Sequence, residues 1–153
     1  MIPEDRQYFV NLTEAQLMGL CIWAEARGEG EAGRIAVGSV ILNRADYGKD
    51  HDAWGRRFGT SIHTVILAPA QFSWTIGADP QYARCVKIAK DYDGAYHDHP
   101  NLFVMFEIAM KLLREEIPRN VTALYYHTHA VKPKWAREMT VDKVIGNHIF
   151  YKG

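Results

Sequence analysis

The feature that most constrains the fold is a well-marked helix that ends near two glycines and is followed almost at once by a second helix. Thr13 is a candidate N-cap, and Gln16 can complete a capping box with it. Gly28 and Gly30 predict that the helix ends before a second one begins. Its core-facing stripe has helical spacing and consists of Leu17, Leu20, Cys21 and Ala24.

The remaining chain predicts more helices and a small β element. The run 31–43 mixes small and apolar residues, which is typical of a helix buried on most sides. Capping residues and prolines predict further helices at 61–67, 79–91 and 101–116.

Two polar segments without periodicity, 45–59 and 93–100, predict loops. β-branched and aromatic residues predict short strands at 121–126, 141–145 and 149–151. The expected fold class is therefore mainly α (α+β), with a small C-terminal β element.

Charge and length limit the domain organisation and the partners. Lysine plus arginine and aspartate plus glutamate both number 18, so no overall field favours nucleic acid. No apolar run reaches the about 18 residues of a membrane span, so membrane insertion is not expected. We predict a loosely attached polar arm at 1–11, one catalytic domain at 12–153, and a monomer. Cys21 and Cys85 are interpreted as reduced packing residues.

Glu25 is the first candidate for chemistry. It lies beside the apolar stripe near the predicted helix end, where partial burial could keep its carboxyl protonated as glycoside cleavage requires. The alternative is a solvated glutamate paired with Arg27 or a loop lysine. Glu29 and Glu31 are weaker candidates, as assisting carboxylates that could orient water.

Aromatic residues beside polar ones predict a saccharide groove, because sugar C–H faces lie well on aromatic rings. The segment Gln71, Phe72, Ser73 and Trp74 has this mixture most clearly. For any single aromatic residue the alternative is the core. The other aromatic candidates are Trp54, Tyr125, Tyr126 and Trp135.

Three histidines raise a metal hypothesis. His127 and His129 would share one face of a strand and His148 would lie on the next, which permits a zinc site. Hydrogen-bonded loop histidines are the alternative, and we expect neither a metal nor another cofactor. Cys21 belongs to the buried stripe, which argues against a thiol nucleophile.

Three ordered blocks resemble the SleB-type cell-wall hydrolases, the spore cortex-lytic enzyme family. The first block is residues 23–44, which begin Trp-Ala-Glu-Ala-Arg-Gly-Glu-Gly-Glu. The second is Val65-Ile66 followed by Gln71-Phe72-Ser73-Trp74. The third consists of Tyr125-Tyr126-His127, Lys134-Trp135-Ala136 and residues 145–151. Together they span about residues 13–151. The resemblance implies a lysozyme/lytic-transglycosylase-like helical domain that binds peptidoglycan glycan strands.

The resemblance also implies the roles of particular residues. Glu25 would be the acid that cleaves the β-1,4 bond between N-acetylmuramic acid and N-acetylglucosamine by lytic transglycosylation. Substrate would be bound by Gln71, Phe72, Ser73, Trp74, Tyr125, Tyr126, Trp135 and His148. Open alternatives are a muramidase or glucosaminidase, a histidine-dependent zinc amidase, and a noncatalytic wall-binding module.

The N-terminal sequence lacks a basic segment followed by an apolar run. We therefore expect cytoplasmic synthesis without a signal peptide. A small chain of this kind resembles a bacteriophage endolysin, which would reach the wall through a holin.

Overall fold

A computed structural model of the chain describes residues 4–152 and is mainly helical with a small sheet, which confirms the predicted fold class. The helices are α1 (Gln7–Val10), α2 (Glu14–Ala26), α3 (Glu31–Asp50), α4 (Asp52–Phe58), α5 (Ile62–Ile66), α6 (Tyr82–Lys90), α7 (Tyr92–Asp98) and α8 (Pro100–Leu113). The strands are β1 (Tyr125–Thr128), β2 (Val141–Ile145) and β3 (His148–Tyr151).

The start of α2 follows the predicted capping box. The Thr13 hydroxyl accepts from the Gln16 backbone N–H at 3.1 Å, and the Gln16 side chain accepts from the Thr13 N–H at 3.0 Å. The predicted end of the helix at these glycines is confirmed, since α2 ends at Ala26 and α3 begins at Glu31, although neither Gly28 nor Gly30 has the positive φ of a glycine cap. Gly30, at φ −73°, is instead the extended N-cap of α3.

The predicted loop at 45–59 is wrong. Helix α3 continues to Asp50 and α4 follows directly. The two helices approach so closely that a Cβ on Gly55 of α4 would lie 2.3 Å from the Gly48 carbonyl oxygen of α3. Polar composition marked the exposed faces of these helices, whereas tertiary packing decided their conformation.

The predicted loop at 93–100 is also helical. The Asp91 side chain accepts from the Gly94 N–H at 3.1 Å and so starts α7. Pro100 then occupies the first turn of α8, which ends at Leu113, before the predicted 116.

The N-terminal segment is attached more firmly than expected. Phe9 on α1 is fully buried and packs edge-on against Trp74 at 5.3 Å between ring centroids. Arg6 also donates to the Leu67 carbonyl at 2.9 Å. Loose attachment is therefore wrong for residues 4–10, while residues 1–3 and 153 lie outside the described part. The domain boundary at residue 12 stays a prediction.

Two clusters of buried side chains hold the fold. The larger one joins α2 to α3, α5 and α8 and includes most buried aliphatic residues. The strands form an antiparallel sheet in the order β1-β3-β2, which joins α3 through a smaller cluster. This cluster contains Ala36, Val40, Val121, Ala123 and Phe150. Among residues 4–152, no helix has the length and apolar character needed to cross a bilayer.

Candidate active site

A cleft of about 620 Å³ lies where the end of α2 meets β1. Glu25, one residue before the end of α2, lies in its wall, and Tyr126 of β1 lies beside it. The cleft is lined by Glu25, Arg44, Arg57, Phe58, Ala70, Gln71, Phe72, Tyr125, Tyr126, Trp135 and Met139.

Glu25 is an isolated acid within this wall. Burial raises the pKa of its carboxyl, the charge of Asp79 raises it further, and a hydrogen bond from Tyr126 opposes both effects. The pairing with Arg27 is not formed, since Arg27 donates to Gln81 Oε1 at 2.6 Å and to the backbone. Glu25 can therefore hold a proton at a pH where an exposed glutamate has lost it.

Tyr126 is the direct partner of the acid. Its hydroxyl donates to Glu25 Oε1. Burial raises the pKa of the phenol well above its usual value, and the neighbouring Glu25 acts in the same direction, so the hydroxyl keeps its proton. His148 packs edge-on against the Tyr126 ring with centroids 5.0 Å apart. The strand pair β1–β3 thus holds the Tyr126 hydroxyl in position to donate to the Glu25 carboxyl.

Arg44 is a cleft residue that the sequence interpretation missed. It is 4% exposed, and its Nη2 donates to Gln71 Oε1 at 2.6 Å. Burial lowers the pKa of Arg44, whereas the neighbouring Tyr125 and Tyr126 raise it. Arg44 stays positively charged, because a guanidinium does not lose its proton in proteins. The signal was present, because Arg44 ends the first block of the family resemblance.

Other lining residues were missed for structural reasons. Arg57 and Phe58 lie on α4, within the segment predicted as a loop. Ala70 has φ 61°, a left-handed conformation uncommon for alanine, directly before Gln71. Met139 follows the 3-10 helix Lys134–Glu138. Only tertiary packing brings these segments together.

The structure brings six of the eleven predicted site residues into the cleft and places five outside its lining, among them the two assisting carboxylates. Those in the cleft are Glu25, Gln71, Phe72, Tyr125, Tyr126 and Trp135. Ser73 is exposed outside the lining, and Trp74 is fully buried in the core. The two differ because the 3-10 turn at Ser73–Thr75 points successive side chains in different directions. His148 is buried behind Tyr126. Substrate contact by the lining residues stays a prediction.

The two assisting carboxylates are absent from the cleft lining among the described residues. The Glu29 side chain, 9% exposed, accepts from the Asn147 backbone N–H at 2.8 Å and from its side-chain amide at 3.2 Å. It also lies 3.3 Å from His148 Nδ1. Glu29 therefore fastens the β2–β3 turn. Glu31 is exposed at the start of α3.

The three histidines do not converge on a metal site. His127 contacts the Tyr151 hydroxyl through Nε2 at 2.7 Å, and His129 lies 3.3 Å from the Gly146 carbonyl. Within residues 4–152, no three His, Cys, Asp or Glu side chains are grouped so that they could hold a metal ion. These histidines support the sheet instead.

Comparison with known proteins gives relatives of one kind. The chain is 27% identical over 143 residues to a spore cortex-lytic enzyme of Bacillus cereus, which covers 91% of this chain and 44% of the relative. The chain thus spans less than half the length of that relative.

Two solved structures share the fold. The catalytic domain of the germination-specific lytic transglycosylase SleB from Bacillus anthracis superposes with a TM-score of 0.64 at 22% identity, covering 99% of this chain and all of that one. The catalytic domain of the Bacillus cereus SleB protein gives a TM-score of 0.58 at 23% identity, covering 91% of this chain and 89% of that one.

A family model provides the assignment. The model described as Cell Wall Hydrolase matches residues 28–151, which is most of the chain. The match includes the whole sheet and all cleft residues except Glu25, which lies just before it. The chain belongs to the cell wall hydrolase family.

Proposed function

We propose that this protein cleaves the β-1,4 bond between N-acetylmuramic acid and N-acetylglucosamine by lytic transglycosylation, with Glu25 as its single catalytic carboxyl. The observation that carries the proposal is a partly buried Glu25, with a raised pKa, facing a cleft of saccharide size. The relatives, a spore cortex-lytic enzyme and the catalytic domain of a lytic transglycosylase, support the same activity.

One carboxyl can serve both halves of this reaction. Protonated Glu25 gives its proton to the glycosidic oxygen as the bond from the anomeric carbon breaks. The Glu25 carboxylate then takes the proton of the muramic C6 hydroxyl, whose oxygen bonds to the anomeric carbon. A 1,6-anhydro end forms, no water is consumed, and Glu25 regains its proton.

Hydrolysis of the same bond ordinarily needs a second carboxylate, about 5 to 9.5 Å from the first. Among the described residues that line the cleft, Glu25 is the sole carboxylate. Asp79 is close enough to affect the pKa of Glu25, but it lies outside the lining and accepts from the Gln81 N–H at 2.8 Å. The cleft therefore favours internal attack over attack by an activated water.

Mass analysis of the fragments released from purified sacculi tests the proposal. We expect anhydro-muramic ends, each lighter by one water than a reducing sugar. Reducing muramic or glucosamine ends would instead indicate a muramidase or glucosaminidase. Intact glycans with released stem peptides would indicate an amidase, and binding without release would indicate a noncatalytic module.

Replacing Tyr126 with phenylalanine tests how the acid is tuned. The hydroxyl donates to Glu25 and holds its pKa down, so its removal should move the upper limb of the pH–activity profile to higher pH. The carboxylate formed after proton donation also loses a donor. We expect kcat to fall about 10- to 100-fold, as for a lost hydrogen bond to a charged group.

Tyr125→Phe is the matched control for this change. Tyr125 lines the same cleft, but its hydroxyl accepts from Trp54 Nε1 at 3.0 Å. The pH–activity profile of Tyr125→Phe should have its upper limb at the same pH as that of the wild type. If Tyr126→Phe also leaves the limb in place, Tyr126 does not set the pKa of Glu25.

The cellular role stays a prediction. A bacteriophage endolysin, made in the cytoplasm and released to the wall through a holin, would have a holin gene beside its own. A sporulation promoter would contradict that role. The predicted monomer can be checked by light scattering in solution.

A further inference from the structure

Arg44 presents a positive charge that the protein does not balance. It is 4% exposed in the cleft wall, and among residues 4–152 no carboxylate oxygen lies within 4.0 Å of it. The exposed Arg119, in contrast, pairs with Asp46 at 2.7 Å. A buried cation without a partner costs folding free energy, so its position calls for an explanation.

The hydrogen bonds of Arg44 are also incomplete. Within the described chain, its guanidinium makes one hydrogen bond, to Gln71, and its buried Nε has no partner. The rings of Trp54 and Tyr125 lie 5.5 Å from its central carbon. These rings and Gln71 fix the plane of the guanidinium but leave most of its five N–H donors unused.

The nearby acid does not neutralise Arg44. Glu25 holds its proton more firmly than an exposed glutamate, and it is the sole carboxylate among the described lining residues. Arg57 on α4 adds a second positive charge to the cleft. The cleft is therefore cationic in a protein whose formal net charge is zero.

We propose that Arg44, oriented by Gln71, binds a carboxylate carried by the substrate glycan. A planar guanidinium whose plane is fixed matches a carboxylate, which would balance its charge and accept from the N–H donors that the cleft can reach. The inference rests on the proposed function and adds a preference among glycans. The carboxylate has two sources: the lactyl group of a peptide-free muramic acid, or the stem peptide.

Paired substrates separate the two sources. One pair is peptide-free glycan strands and the same strands with their lactyl carboxylates converted to amides. The other pair is peptide-bearing strands before and after the carboxylates of their stem peptides are converted to amides. In the pair whose native member carries the recognised carboxylate, the wild type should cleave the amidated strands with a kcat/KM about tenfold or more lower than that for the native strands. This is the effect of losing a hydrogen bond between charged groups.

Substitutions assign the preference to Arg44. In Arg44→Gln the native and amidated strands should be cleaved with nearly equal kcat/KM, whereas Arg44→Lys should keep part of the difference because it keeps the charge. Arg57→Gln is the matched control: it removes the same charge from an exposed residue of the same cleft and should keep the wild-type ratio. Thermal unfolding of each variant checks that it is folded.

The wild-type ratios decide the inference even if Arg44→Gln does not fold. Equal kcat/KM for native and amidated strands in both pairs would overturn the carboxylate site and leave the transglycosylase proposal intact. A ratio that persists in Arg44→Gln would place the site elsewhere. Absence of anhydro ends from every substrate would instead overturn the proposed function.

Discussion

Replacing Glu25 with glutamine is expected to reduce the release of soluble fragments from sacculi by about 1000-fold or more. The amide has nearly the same shape, but it can neither give the proton to the leaving oxygen nor accept one from the C6 hydroxyl. Loss of a general acid and base typically costs about 10²- to 10⁴-fold. Initial rates on purified sacculi measure the effect.

The same substitution should leave folding intact or improve it. Burial raises the pKa of Glu25 in the folded chain above its unfolded value, so the folded state binds more protons. Stability is then lost as the pH rises from the usual carboxyl value through the raised one. A neutral glutamine avoids this loss, so at neutral pH the variant should melt at or above the wild-type temperature.

Glu14→Gln provides the control for Glu25→Gln. Glu14 is an exposed glutamate in the first turn of the same helix, far from the cleft end of α2. Its substitution should leave the rate of fragment release near that of the wild type. Substantial activity in Glu25→Gln, together with a normal Glu14→Gln, would show that another residue is the acid.

Replacing Trp74 with alanine is expected to act on stability. Trp74 is fully buried and packs against Phe9, and truncation of a buried tryptophan typically costs about 3–5 kcal/mol. For a chain of this size that corresponds to a melting temperature lower by about 10 °C. Denaturant and thermal unfolding measure the change.

Trp135→Ala separates the two roles predicted for tryptophan. Trp135 is 41% exposed and lines the cleft, so its truncation should raise KM for glycan strands with little change in melting temperature. A raised KM in Trp74→Ala at an unchanged melting temperature would contradict the core position of that residue and restore its predicted role in sugar binding.

The sequence indicated Glu25 as the candidate acid because the pattern around it is local. A capping box, an apolar stripe and a carboxylate near the helix end are all readable within residues 13–25. The aromatic pattern and the family blocks both indicated Tyr126 and Trp135. Arg44 was missed because its burial depends on rings from distant segments. Trp74 was misplaced because the rotation of a single 3-10 turn separates a cleft residue from a core residue, and composition does not encode that rotation.

The two walls of the cleft belong to differently packed parts of the molecule. Glu25 lies on α2, whose apolar side chains belong to the large cluster, whereas Tyr126 lies on the sheet, whose own buried cluster has five residues, and the Tyr126 side chain packs against both clusters. Regions with fewer buried contacts open before the whole protein unfolds. We therefore expect that, on heating, the sheet detaches before the helices unfold. This separates the Tyr126 hydroxyl from the Glu25 carboxyl, so activity should be lost at a lower temperature than helical structure.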